Sequence, residues 1–406
     1  MPQKILLSTD IGSDIDDALS ILIMFNSGMP LEGIYTVNGD VTTRAYIAKH
    51  MVDLSGKNID VGIGESNPIK EYVKPYSHFE DAYIDDKFID DEKSTVFGEI
   101  VYKKPKKVGI IANGVENLAK KLSKNKYEVF NIAPLTNIAK LINNYPDVIK
   151  NIEHLYIMGC RFSNSKNEHN IRFDSEAAMV VFNSDIPITV IPGDLCEKYK
   201  MPIEQLEQLV SPAGKYVKRM ALGFIAAKTA KELASADLKE FKYMFPEKFR
   251  QNSILDLSTL YKFIEDEMHP KTKNLDKIPK EKALELLNSK RKLLVNLDYG
   301  YHATFEKEDY FKQYRLLIQH LENPVMGYEY GSQVANILKM LKPKTISIAD
   351  LYLPYCYLNP RKIKTINGTV LVDFTGMSAL GHGEKHTIVT GIDFDHFKEF
   401  LNKNVK

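Results

Sequence analysis

The sequence predicts an α/β protein, with a mostly parallel central sheet flanked by helices and a long helical insertion late in the chain. Three observations carry this expectation. Short apolar runs alternate with stretches of helical periodicity from the N-terminus to about residue 200. Those runs read as buried strands, apolar on both faces, which is the pattern of parallel sheets covered by helices. From about Lys215 to Gln333 the strand-like runs stop, and a Lys-, Glu- and Leu-rich helical pattern takes over.

Lys4 to Thr9 (KILLST) is short, apolar and bounded by an Asp/Gly loop, as a buried strand should be. From Asp16 onward, Ala18, Ile21, Leu22 and Phe25 recur at helical spacing, and Gly28 and Pro30 end the run. LEGIYTVNGD reads as the second strand and RAYIAKHMVDLSG as the second helix. KKVGIIAN and YEVFNIAPLTN are further strands, followed by VENLAKKLSKN and IAKLINNYPDVI as helices. IEHLYIMG, SEAAMVVFNS and PITVIPGD continue as strand, helix and strand. In open sheets of this kind ligands bind beyond the carboxyl ends of the strands. The residues closing them are Asp10, Asp40, Thr136, Gly159 and Asp194.

The helical stretch, about 215–333, has no Gly/Ser linker and reads as an insertion or cap within one domain spanning 1–406. Core character returns at KPKTISIADLYLPYCYL. TVLVDFTG and KHTIVTGID then read as closing strands and FDHFKEFLNK as a final helix.

The 406 residues carry 54 Lys plus Arg against 53 Asp plus Glu, a net charge of +1, so no basic field exists to attract nucleic acid or anionic lipid. No stretch approaches the ~18–20 apolar residues of a membrane span. The first apolar triplet falls short of the ~7–15 residues of a signal peptide. Cys160, Cys196 and Cys356 are scattered and odd in number, which suits reduced core thiols and not a disulfide framework or zinc site. A cytoplasmic enzyme with no nucleic-acid or membrane partner is the expectation.

The loop after the first strand, Ser8-Thr9-Asp10-Ile11-Gly12-Ser13-Asp14-Ile15-Asp16-Asp17, sets four carboxylates between a buried strand and a helix N-terminus. Asp16 or Asp17 could serve only as a helix N-cap. Four like charges on one tight turn, however, repel unless a cation offsets them. Hard oxygen donors without neighbouring His or Cys suit Ca²⁺ or Mg²⁺. The closing Glu of an EF-hand is missing, Ser8 occupies the position of an aspartyl-phosphatase nucleophile, and no Walker-type loop is present.

These residues resemble the inosine–uridine-preferring nucleoside hydrolases, whose N-terminal fingerprint is usually DxDxGxDDA. Here Ser8 replaces the first Asp and the loop is two residues longer, with Asp14 in the added stretch. Further similarities follow in the family's order. Asn38-Gly39-Asp40 resembles its VGN loop, and Pro134-Leu135-Thr136-Asn137-Ile138-Ala139 its xLTNIA. Met158-Gly159-Cys160 resembles MGG, and Glu168-His169-Asn170 with Asp174-Ser175-Glu176-Ala177-Ala178 resembles EFN…DPEAA. Ala349-Asp350 through Asn359-Pro360 resembles HDPLAVAxxIDP. The resemblance covers about 1–215 and 335–400 and leaves the insertion unmatched.

The resemblance implies hydrolysis of the N-glycosidic bond of a small-molecule ribonucleoside, in a nucleoside salvage role, by a calcium-bound water activated by Asp10. It implies Asp10, Asp17, Asp350 and the Thr136 carbonyl as calcium ligands, and Asp16, Glu168 and Asn170 as a grip on ribose. Asn164 and His169 are candidates beside them, with Asp40 and Met158 near the base. Relatives are commonly oligomers, which implies a homo-oligomer here. The family's leaving-group His is replaced by Ala349. Candidate acids elsewhere are His169, His78, Tyr301 and His302. Two alternatives remain open: hydrolysis of another N-riboside, such as nicotinamide riboside or a modified nucleoside, and an inactive ribose-binding relative.

Overall fold

The computed structural model describes residues 3–70, 109–163, 166–218, 220–221 and 344–406. The chain divides into two units, Met1–Ala221 with Thr345–Lys406, and Leu222–Lys344. The strands and helices described below all belong to the first unit. The insertion expected at 215–333 falls almost wholly outside the described residues.

A nine-stranded sheet forms the core, in the order β10-β11-β7-β6-β5-β1-β2-β3-β4. The strands are β1 (Ile5–Thr9), β2 (Leu31–Thr36), β3 (Asp60–Ile63), β4 (Ile110–Ile111), β5 (Tyr127–Asn131), β6 (Ile152–Met158), β7 (Ile188–Ile191), β10 (Ile363–Val372) and β11 (Ser378–Ile392). A separate antiparallel pair joins β8 (Met201–Pro202) to β9 (Thr345–Ile346). Every pairing in the large sheet is parallel except that of β10 with β11. The mostly parallel sheet expected from the alternation is therefore what forms. β3 is not evident in the sequence, because a four-residue strand lacks enough length to show a period.

β1 lies inside the sheet, between β5 and β2, and is buried along its whole length, with Ile5, Leu6 and Leu7 at 1 % exposure or less. Each such side chain contributes on the order of 1.5–3 kcal/mol of burial. From β1 the chain builds outward through β2, β3 and β4, then returns to the opposite side of β1 with β5, β6 and β7. The order thus reverses between β1 and β5, and the crevice beyond their carboxyl ends is where such sheets bind ligands.

Helices α1 (Asp16–Asn26), α2 (Val41–Leu54), α3 (Gly114–Leu122) and α4 (Thr136–Asn144) follow β1, β2, β4 and β5. Farther on come α5 (His169–Phe173), α6 (Ser175–Asn183), α7 (Gly193–Cys196), α8 (Tyr352–Leu358) and α9 (Phe394–Asn404). The β10–β11 turn is set by Asp373, whose Oδ1 accepts from Thr375 N (2.8 Å) and Met377 N (3.0 Å), the Asx geometry that reverses a chain. All three cysteines are buried and free, as expected of core thiols. No helix among the described residues is long and apolar enough to cross a membrane.

Candidate functional site

Asp10 follows β1 directly, Asp16 and Asp17 open α1, and Asp350 sits in a short 3₁₀ turn, Ala349–Leu351. All four are buried, at 3–7 % exposure. Neither aspartate of α1 serves as its N-cap; that position is Ile15, with no side-chain capping bond. The two carboxylates instead fall within 4.8 Å of each other and of exposed Asp14, a grouping able to hold a metal ion. Thr9 Oγ1 donates to Asp17 Oδ1, and Ala349 N donates to Asp16 Oδ2 at 3.0 Å. Ser20 Oγ donates to the Asp350 carbonyl at 3.1 Å, tying the late turn to α1.

The turn after β2 supplies a partner for Asp10. Asn38 lies in the left-handed region (φ 72°), which Asn tolerates better than most residues, and Gly39 follows it there (φ 65°). Asn38 Nδ2 donates to Asp10 Oδ2 at 3.1 Å, while its Oδ1, buried, has no hydrogen-bond partner. Asp40, expected near the base, is exposed and caps α2: its Oδ1 accepts from Thr43 N at 3.0 Å and its Oδ2 from Thr43 Oγ1 at 2.5 Å.

Beneath the strand ends, Asn137 binds three segments together. Its Nδ2 donates to Ser8 Oγ (3.2 Å) and to the Thr36 carbonyl (3.1 Å), and its Oδ1 accepts from Glu65 N (2.9 Å). A Cβ on Gly64 would lie 2.2 Å from the Thr36 carbonyl, so this approach requires glycine. Ser8, at the position of the fingerprint's first Asp, is thus a structural acceptor. Thr136 opens α4 beyond β5, next to β1; its hydroxyl donates to Asp174 Oδ2 at 2.7 Å. Asp174 also accepts from Ile69 N (2.8 Å) and caps α6 through Ala177 N (3.0 Å).

On the β6 side, Glu168 caps α5 by accepting from Asn170 N and Ile171 N, both at 3.0 Å. Asn170 Nδ2 reaches the Met158 carbonyl at 3.3 Å. Glu168, Asn170 and Met158, expected to meet substrate, are brought together and buried, whereas His169 between the first two is exposed. Cys160 adopts φ 68°, which explains why the related pattern has glycine here. Asn164, His78, Tyr301 and His302 lie outside the described residues.

Burial raises the carboxyls of Asp10, Asp16, Asp17 and Asp350 above their usual range, and the repulsion of neighbouring aspartates adds to it. Arg44 and His169 pull Asp10 back down, and Asn38 helps by its hydrogen bond. Burial also raises Glu168, opposed by the backbone donors of Asn170 and Ile171. The Cys196 thiol, raised by burial, is pushed further by Cys356, Asp350, Glu168 and Asp16, so the acidic loop and the Glu168 cluster adjoin around it. Several buried carboxylates with only oxygen donors suit a hard divalent cation, and its charge would relieve their desolvation and repulsion. Sequence reasoning singles out neither Asn38 as Asp10's partner nor Arg44. The signal available for Arg44 is a basic residue in the first turn of a helix, where it is unfavourable unless held by something else.

The family model described as inosine-uridine preferring nucleoside hydrolase matches residues 5–399. Probable uridine nucleosidase 2 of Arabidopsis thaliana is 27 % identical over 229 residues, 52 % of this chain and 66 % of that protein. Non-specific ribonucleoside hydrolase RihC of Salmonella newport is 30 % identical over 219 residues, 50 % of this chain and 65 % of that one. These matches span just under two thirds of the relatives' length. Among solved structures, a plant nucleoside hydrolase aligns with TM-score 0.57 at 15 % identity, covering 100 % of this chain and 99 % of its own. An inosine-guanosine nucleoside hydrolase aligns at 0.55 and 14 %, covering 100 % and 99 %. At such identities the likeness is one of fold.

Proposed function

The chain belongs to the inosine-uridine preferring nucleoside hydrolase family, and from that premise we propose that it hydrolyses the N-glycosidic bond of ribonucleosides to ribose and free base. The observation that carries the reading is the gathering of buried Asp10, Asp16, Asp17 and Asp350 at the sheet's switch point, beside buried Glu168 and Asn170. Asp10, Asp17, Asp350 and the Thr136 carbonyl would hold calcium, with Asp14 close enough to Asp16 and Asp17 to add its charge. When bound, that ion supplies Lewis-acid activation, lowering the pKa of a water molecule.

In this proposal Asp10 takes the proton of the attacking water as the oxygen closes on C1′ of the ribose. The C1′–N bond breaks through an oxocarbenium-like transition state, as in glycoside hydrolysis generally. Asp16, Glu168 and Asn170 hold the ribose hydroxyls, and Met158 lines the site. Fixing these groups on strand ends supplies the positioning component of catalysis. The bonding electrons go to the base, which must collect a proton or already carry positive charge. Of the candidate donors His169, His78, Tyr301 and His302, His169 is the one among the described residues.

Ala349 favours a second reading within the same chemistry. With no His at that position, a riboside whose base is itself cationic, such as nicotinamide riboside, departs neutral without any acid. The proposal further includes a single core carrying the 215–333 insertion, a homo-oligomer, and nucleoside salvage in the cytoplasm.

The test is ribose release from purine, pyrimidine and nicotinamide ribosides, with and without a calcium chelator. Chelator-sensitive release supports the hydrolase, and the preferred base chooses between the two readings. Ribose binding without release from any riboside would replace both with an inactive sugar-binding relative.

A further inference from the structure

Arg44 lies in the first turn of α2 and is fully buried, at 0 % exposure. A guanidinium never sheds its charge at ordinary pH, so burying one is costly unless its donors are used. Here they are spent on the loops that close β1 and β2. Nε donates to the Asn38 carbonyl at 2.7 Å. Nη1 donates to the carbonyls of Asp10 and Ile11, the latter at 2.9 Å. Nη2 donates to Ser13 Oγ at 2.8 Å. One planar group thus grips the backbone of Asp10 and of Asn38, the two residues whose side chains hydrogen-bond to each other at 3.1 Å.

Two features make this grip consequential. Asn38 stands in the left-handed region, a conformation that surrounding contacts must hold in place. Ser13 sits midway between Asp10 and Asp16, so the bond to its hydroxyl also holds the middle of the acidic loop. Lysine could not replace the fork, because a single ammonium cannot reach carbonyls on two loops and a hydroxyl at once.

We propose that Arg44 is a positioning residue for the hydrolysis, fixing the Asp10 loop and the Asn38 turn so that the Asp10 carboxylate is aimed at the attacking water. The inference rests on the reading of Asp10 as the base. It adds that the aim is set from behind, by a side chain that touches neither substrate nor cation.

The experiment compares full-length Arg44→Lys and Arg44→Ala with wild type, reading kcat and KM for the best riboside, the urea unfolding midpoint, and calcium affinity by titration calorimetry. A misplacement of about 1 Å costs on the order of 10²-fold in rate. Arg44→Lys should therefore lose about 10²-fold in kcat with KM within about threefold, while still unfolding cooperatively. Millimolar guanidinium ion should restore part of the kcat of Arg44→Ala, saturably, and leave wild type unchanged. Wild-type kcat in the Lys variant would overturn the proposal. So would a loss that merely follows the unfolded fraction and is not rescued. Should wild type release no ribose at all, the base reading fails separately, and calcium affinity decides the positioning role. A drop of about tenfold in folded Arg44→Lys supports it, and an unchanged affinity refutes it.

Discussion

Replacing Asp16 with Asn should stabilise the cation-free protein while weakening its activity. The carboxylates of Asp14, Asp16 and Asp17 present oxygens within 4.8 Å of one another. Two unit charges no more than 4.8 Å apart at an effective dielectric near 20 repel by at least about 3.5 kcal/mol. Proton uptake relieves part of that, because burial and its neighbours already raise the Asp16 carboxyl. A gain of about 1–3 kcal/mol at pH 7 in chelator is therefore expected for Asp16→Asn. The hydrogen bond that Asp16 accepts from Ala349 N at 3.0 Å is kept in weaker form, since the amide oxygen of Asn still accepts. In saturating calcium the gain should vanish or reverse, because the ion already offsets the repulsion. Urea unfolding with and without chelator reads both states. Riboside kinetics should show a turnover loss on the order of 10²-fold from the weakened ribose grip. Equal destabilisation in chelator and in calcium would refute the repulsion argument, because it would mean that Asp16 serves packing alone.

Three further outcomes test the site. Asp10→Asn keeps an oxygen for Asn38 Nδ2, so folding and ribose binding should persist while kcat falls by about 10²–10⁴-fold; near-normal turnover would remove Asp10 from the base role. Asp350→Ala should weaken calcium and activity together, and wild-type calcium affinity measured by calorimetry would end its assignment as a ligand. The third concerns pH. Asp10, Asp16, Asp17 and Asp350 have raised carboxyls in the folded chain, so the folded state holds protons the unfolded state has released. Their contribution to stability therefore falls as pH rises from the ordinary carboxylate range toward the raised values. Stabilisation by calcium, taken as the difference between loaded and chelated midpoints, should therefore grow as pH rises above the ordinary carboxylate range; a difference that stays flat as pH rises would contradict it.

Much is settled by the order of residues alone. Alternating apolar runs and helical periods are local properties, and a strand apolar on both faces has to sit inside a helix-covered parallel sheet. KILLST becomes buried β1 for that reason, and a chain of this pattern puts its chemistry at strand ends, where Asp10 and Thr136 stand. The four-aspartate loop is visible because like charges so crowded need an explanation from composition alone. Tertiary structure decides what depends on distant partners or on one dihedral angle. Asn38 turns its amide to Asp10 from a left-handed backbone position, while Asp40 two residues on caps α2. Asp350 and Ala349 join the loop across more than 300 residues, through Ser20 and Asp16, a separation that no local pattern encodes. Arg44 reads in sequence as an ordinary charge in a helix's first turn. Only the tertiary structure buries it and brings its fork to the carbonyls of Asp10, Ile11 and Asn38.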